Sequence, residues 1–104
     1  MKEIIKVIIK EPGRHARVTE VRNELQPLQM LVGGYIEAVT IATDCVILCN
    51  EEGRINAMPY NCTILGEPFF GPILFVGRDG EEFDDVPEEN VRTLFPALFE
   101  GEKT

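Results

Sequence analysis

The sequence holds a single histidine, His15, and three cysteines, and no two of the cysteines form a C-x-x-C pair. On an extended strand Cys45 and Cys49 would stand about 13 Å apart, too far to share one ion. Cys45, Cys49, Cys62 and His15 therefore read as free thiols and a loop imidazole rather than a zinc set, and neither a metal nor a cofactor is expected. An odd number of cysteines fits a reducing compartment. No apolar run approaches the roughly 20 residues of a membrane span, so no membrane partner is expected. Met1-Lys2-Glu3 leads into alternating residues, not the continuous apolar core and small-residue cleavage site of a secretory signal. The expectation is a cytoplasmic protein. Internal repeats and low-complexity linkers are also missing.

Catalytic groupings are equally scarce. His15 follows a Pro-Gly turn and sits between Arg14 and Arg17, which reads as a solvated loop rather than a nucleophile–base pair. Acids crowd residues 79–89, but a run of acids is usually a solvated face or a helix cap. Gly33-Gly34 is no phosphate loop, because it follows a helix end whose partial charge is negative, whereas phosphates bind N-termini. With neither a base–nucleophile pair nor a metal set visible, an enzyme is not expected.

What is present is an ordinary profile, 44% hydrophobic and 27% charged, over 104 residues. That is one domain with one modest core, read as residues 1–99 with a fraying tail at 100–104. The net charge of −8 is unevenly placed. Residues 1–50 balance six basic against six acidic side chains, and residues 51–104 set twelve acids against four bases. Such a field repels phosphate backbones, so direct nucleic-acid binding is not expected.

The pattern gives an α+β fold, a mostly antiparallel sheet of about five to seven short strands with two short helices packed on it. Ile4 to Lys10 is rich in β-branched residues, with Ile5, Val7 and Ile9 forming a wholly apolar inward face and Lys2, Lys6 and Lys10 on the other, with Ile4 and Ile8 beside them. Glu11-Pro12-Gly13-Arg14 turns the chain, and Arg17 to Val21 returns antiparallel. Leu28, Leu31 and Val32 lie at helical spacing, with Pro27 in the first turn and Gly33-Gly34 as the stop. Tyr35–Ile41 and Cys45–Cys49 read as strands. Asn50 to Arg54 reads as a tight hairpin with Gly53 at positive φ, which sends Ile55–Met58 back along Cys45–Cys49. Cys62 to Pro68 reads as irregular, and Ile73 to Val76 as a buried strand. Asp85 is placed as the cap of a second helix, with Pro87, Glu88 and Glu89 in its first turn and Val91, Leu94 and Phe95 as its apolar stripe. Pro96 stops it, and Leu98 and Phe99 dock.

Leu28-Gln29, Val32-Gly33-Gly34-Tyr35-Ile36-Glu37, Cys49-Asn50-Glu51-Glu52-Gly53 and Met58-Pro59-Tyr60-Asn61 occur in that order, followed by Gly71-Pro72-Ile73 and on to Gly77. From Ile4 to about Leu94 the chain thereby resembles a family of small domains of unknown function carried by bacteriophages, plasmids and other mobile elements. The resemblance implies a fold and a mobile-element origin, hence host cytoplasm for a phage-encoded protein. It implies no reaction.

For a ligand, the best-placed bases are Arg14, Arg17 and Arg22, around the first hairpin and the start of the first helix. Asn50, Tyr60 and Asn61 add directional hydrogen bonds from loops. Two function classes follow. One is a non-enzymatic protein that sequesters a small anionic, nucleotide-like host signal in a counter-defence role. The other is an acidic interaction protein, of DNA-mimic type, that occupies a basic surface of a host protein. Phe69-Phe70-Gly71-Pro72 is too apolar for a water-facing loop, while the Ile5/Val7/Ile9 face has the two helices to cover it. A homo-oligomer, most simply a dimer, is therefore expected, with Phe69 and Phe70 at or near the contact.

Overall fold

The structure, a computed structural model, describes residues 2–101; the tail residues 102–104 and Met1 lie outside the described residues. The first strand, β1 (Ile4–Lys10), turns through a bond from Arg14 N–H to the Glu11 carbonyl at 3.1 Å and pairs antiparallel with β2 (Arg17–Arg22), Ile4 opposite Arg22 and Ile9 opposite Arg17. Helix α1 (Leu25–Val32) follows, then β3 (Ile36–Ala42) and β4 (Cys45–Asn50) as an antiparallel pair. Next come β5 (Tyr60–Ile64) and β6 (Glu67–Phe70), a separate two-stranded hairpin. β7 (Ile73–Asp79), the short β8 (Glu82–Asp84), helix α2 (Glu88–Leu94) and a 3-10 helix (Pro96–Phe99) complete the chain. The main sheet runs β2-β1-β7-β4-β3, all pairs antiparallel, with β8 beside the end of β7.

Both faces of the sheet are covered. On one face Ile5, Val7 and Ile9 of β1, with Val46, Leu48, Leu74 and Val76, receive Leu28 and Val32 of α1. On the other, Ile8, Ile47, Cys49, Ile73 and Phe75 receive Ile64 and Phe69 from the β5–β6 hairpin, Val91 from α2, and Leu98 and Phe99. Strands covered on both sides need apolar residues in succession, which accounts for the unbroken run from Cys45 to Cys49. This corrects the amphipathic reading of β1: Ile8 is fully buried and Lys10 is buried too. It also separates the two helices, because only α1 covers the Ile5/Val7/Ile9 face.

Helix α1 has no side-chain cap at Glu24. Its other end is built as the glycines require. Gly33 is left-handed at φ 82°, and the N–H groups of Gly33 and Gly34 both donate to the Gln29 carbonyl, at 2.9 and 3.0 Å.

Residues 51–70 depart from the sequence reading. No strand forms at 55–58: the segment is a series of turns, Ile55 is exposed, and β4 pairs with β7 and β3 instead. Gly53 does not take positive φ; it is a close-approach glycine, where a Cβ would stand 2.7 Å from the Phe70 carbonyl oxygen. The supposedly irregular 62–68 is a hairpin whose tip, Leu65-Gly66, takes positive φ at both residues, 52° and 81°. That geometry matches the right-handed twist of paired strands. Its strands form because Ile64 and Phe69 find the second face of the sheet to cover.

Helix α2 is likewise set differently. Its cap position is Pro87, not Asp85, and Leu94 is exposed while Val91 is buried and Phe95 packs at the core margin. Asp85 faces β1 instead: it accepts from Lys2 Nζ at 2.6 Å and from the Lys6 backbone N–H at 2.8 Å. Val86 N–H then donates to the Lys6 carbonyl at 2.9 Å, so this part of the acidic stretch is stitched to the sheet.

Candidate functional site

The arginines named from the sequence do not converge. Arg17 and Arg22 occupy opposite ends of β2, about 17 Å apart along an extended strand. Arg22 pairs with Glu24 at 2.8 Å, and Arg17 with Glu11 at 2.6 Å. The start of α1 is therefore flanked by Arg22 alone. Arg14, His15 and Arg17 do share one recess, an open dish of about 430 Å³ that also includes Glu100. The Arg17 guanidinium holds the Glu11 carboxyl below its ordinary range through their hydrogen bond, and Arg14 adds to the effect.

Asn50 and Asn61 are spent within the fold. Asn50 is buried, donates from Nδ2 to the Val32 carbonyl at 3.2 Å and accepts the Glu52 N–H at 2.8 Å. Asn61 donates to the carbonyls of Lys10 and Gly71, both at 2.8 Å, and accepts from Lys10 Nζ at 3.0 Å. These bonds use both donors of the Asn61 amide and one donor and the oxygen of Asn50. Tyr60 stays exposed, with its hydroxyl 2.7 Å from Thr63 Oγ1 and its ring edge-on to Phe70 at 5.8 Å. Phe69, by contrast, is buried against Ile47, Ile64 and Phe75 in its own chain's core. The exposure argument for an oligomer contact does not hold for Phe69; Phe70 is half-buried.

A second recess has a different character. Between the β3–β4 pair and β6 runs a half-open groove of about 170 Å³. Glu37, Glu51 and Glu67 line it, with Val39, Cys49 and Phe70 as its apolar part. Arg54 is its one basic residue, and that guanidinium already lies over the Phe70 ring at 5.0 Å. Burial pushes the Cys49 thiol up to about 11, and the Glu37 and Glu67 carboxylates add to the shift. Cys49 Sγ lies 3.6 Å from the Glu37 carbonyl, toward which it donates. A thiol so placed stays protonated at neutral pH and is no nucleophile. Burial also raises Cys45 to about 11, with Asp44 contributing, and raises Cys62, against which Lys10 acts. Among the described residues, no group of three His, Cys, Asp or Glu side chains is placed to hold a metal ion, and no helix is long and apolar enough to cross a membrane.

Sequence reasoning passed over Glu37, Glu67 and Arg54 as site residues. Glu37 and Glu67 meet only because the hairpin carrying Glu67 folds over β4, and no local signal announces that contact.

The architecture defines a small α+β domain: one antiparallel sheet, a helix on one face, and a hairpin with a second helix on the other. The family model described as "Domain of unknown function (DUF3846)" matches residues 5–99, and the chain belongs to that family. No curated protein and no solved structure matches it.

Proposed function

We propose that the chain is a non-enzymatic binding protein whose acidic groove side receives a basic surface of a partner protein. The observation that carries this reading is the groove between β4 and β6, walled by Glu37, Glu51 and Glu67, with its single base already stacked on Phe70. A lysine or arginine side chain entering there meets carboxylates and an aromatic face together. The net charge of −8 adds long-range steering toward such a partner. The resemblance to domains of phages and plasmids makes a host protein the natural target, met in the host cytoplasm by an accessory factor in a counter-defence role.

A second reading, capture of a small nucleotide-like anion, is favoured by the shared recess of Arg14, His15 and Arg17. It must do without Arg22, Asn50 and Asn61, which stand elsewhere or are already bonded.

Affinity capture from host cells tests both. The expected result is one basic partner, lost in the Glu51→Lys, Glu67→Lys double variant and retained in Arg14→Ala, Arg17→Ala. A partner that survives the glutamate reversals at the same salt overturns the acidic-groove reading. A co-eluting nucleotide absorbance that disappears with the arginines establishes the second reading in its place.

A further inference from the structure

The two edges of the main sheet are finished differently. At one edge, β2 carries exposed Arg17, Glu20 and Arg22, the charged side chains that keep an open strand from pairing with another. At the other, β3 reads Ile-Glu-Ala-Val-Thr-Ile-Ala, with Glu37 as its one charge. Both sheet faces also thin out beneath β3. Val39 and Ile41 are half-buried on the hairpin side, while Ala38 and Thr40 are exposed beside a recess shared with Val46, Arg78 and Phe83.

The direction of the backbone groups on β3 follows from its pairing. Tyr35 accepts the Glu51 N–H at 2.8 Å, one step before the Ile36–Asn50 position in the register. In an antiparallel ladder the bonded pairs alternate. Tyr35, Glu37 and Val39 therefore turn their backbone groups toward β4, and Cys49 Sγ approaching the Glu37 carbonyl agrees. Ile36, Ala38 and Thr40 turn theirs outward, where no described residue bonds them. Beyond Thr40 the register shifts, so Ala42, paired with Cys45, turns inward again.

We infer that this edge pairs with the same edge of a second copy, antiparallel about a two-fold axis at Ala38. The outward residues are self-complementary in that register alone. Ile36 meets Thr40 of the second copy, Ala38 meets Ala38, and Thr40 meets Ile36, so every outward N–H and carbonyl of the three finds a partner. Glu37 then lies beside Val39 of the second copy. Centring one residue earlier sets Glu37 against its own copy, like charge on like. Centring one residue later calls on Ala42, whose groups the bulge has turned toward β4. A closed two-fold pair uses up the exposed edge, whereas an unmatched edge invites open-ended association. The axis is perpendicular to the sheet, so the acidic grooves of both copies, each bordered by Glu37 and Val39, open on the same side. The inference does not depend on what those grooves bind.

The test is solution mass by light scattering at micromolar concentration. Wild type is expected at twice the 11.7 kDa of one chain. Ala38→Pro removes one outward N–H and none of the β3–β4 bonds, and Ala38→Lys sets two ammonium groups against each other at the axis. Each should weaken dimerisation by at least about tenfold, and the far-UV circular dichroism should stay native. Glu20→Lys on the opposite edge and Phe70→Ser in the hairpin should remain dimeric. A monomeric wild type overturns the inference. So does a folded Ala38→Lys protein that keeps the dimer mass, and this variant decides the matter if Ala38→Pro does not fold.

Discussion

Asn50 Nδ2 donates to the Val32 carbonyl at 3.2 Å, so a buried amide on β4 closes the C-terminal end of α1. The last carbonyls of a helix lack intrahelical partners, and Asn50 supplies one while its Oδ1 accepts the N–H that starts the next turn. Asn50→Ala should therefore lower stability by about 2–3 kcal/mol, through two unsatisfied backbone groups and a small void. Asn50→Asp keeps the Glu52 bond but faces a carboxylate toward the Val32 carbonyl, and should be no more stable than the alanine variant at pH 7. Urea unfolding of the three proteins measures both statements.

Gly34 packs on the same amide. A Cβ at position 34 would stand 2.9 Å from Asn50 Nδ2, closer than such contacts run. Gly34→Val should melt well below wild type, by about 10 °C or more if it costs the roughly 2 kcal/mol of an overpacked site. Gly34→Ala combined with Asn50→Ala should cost less than the sum of the two single changes, because both act on one contact. A strictly additive double-mutant cycle would contradict the steric account.

Asn61 is the second internal clamp. It joins β5 to the Lys10 and Gly71 carbonyls and accepts from the buried Lys10 amine. Asn61→Ala should destabilise by about 2–4 kcal/mol, since it removes three hydrogen bonds, two to backbone carbonyls and one that accepts from the Lys10 ammonium. Lys10→Met in the same background should recover part of the loss, because the buried ammonium then disappears. Chemical denaturation of the single and double variants reads this directly.

Asp85 gives a dependence on pH. Its hydrogen bond from Lys2, then that from the Lys6 N–H, holds the carboxyl below its ordinary value, so the folded state binds this proton less readily than the unfolded chain. The stabilisation is present above the unfolded carboxylate range, near pH 4, and is lost as pH falls through the lower folded value. Asp85→Asn should accordingly reduce the melting temperature at pH 7 and narrow its gap to wild type in acid. A gap that stays constant from pH 7 to pH 3 would show that the charge is not what Asp85 contributes.

The strands with β-branched or unbroken apolar composition were legible in the sequence, as were Gly33 at the end of α1 and the docking of Leu98 and Phe99. What escaped was whatever depends on a second covered face. Ile8 and Lys10 look outward on a one-sided sheet and are buried on this one. The β5–β6 hairpin is turned by Leu65-Gly66, and a leucine at positive φ is no recognisable signature of a two-residue turn. Of the arginines named from the sequence, Arg14 and Arg17 line one recess, while the pairing of β2 with β1 carries Arg22 to the far end of the strand. The glutamates of the groove come from β3, the loop after β4, and β6, elements whose meeting no local pattern encodes.

The position of β7 has a consequence for how the chain acquires this shape. β1–β2 and β3–β4 are local hairpins, each able to pair as soon as it is synthesised, yet they never touch edge to edge in the main sheet order. The strand that joins them is supplied only at Ile73–Asp79, and it must enter between β1 and β4 and bond to both. Until then the inner edges of two hairpins stand open in a nascent chain. Assembly thus waits on a late, long-range step, which is slow and exposes unpaired edges meanwhile. A ribosome stalled before Ile73 would hold two half-sheets without their keystone.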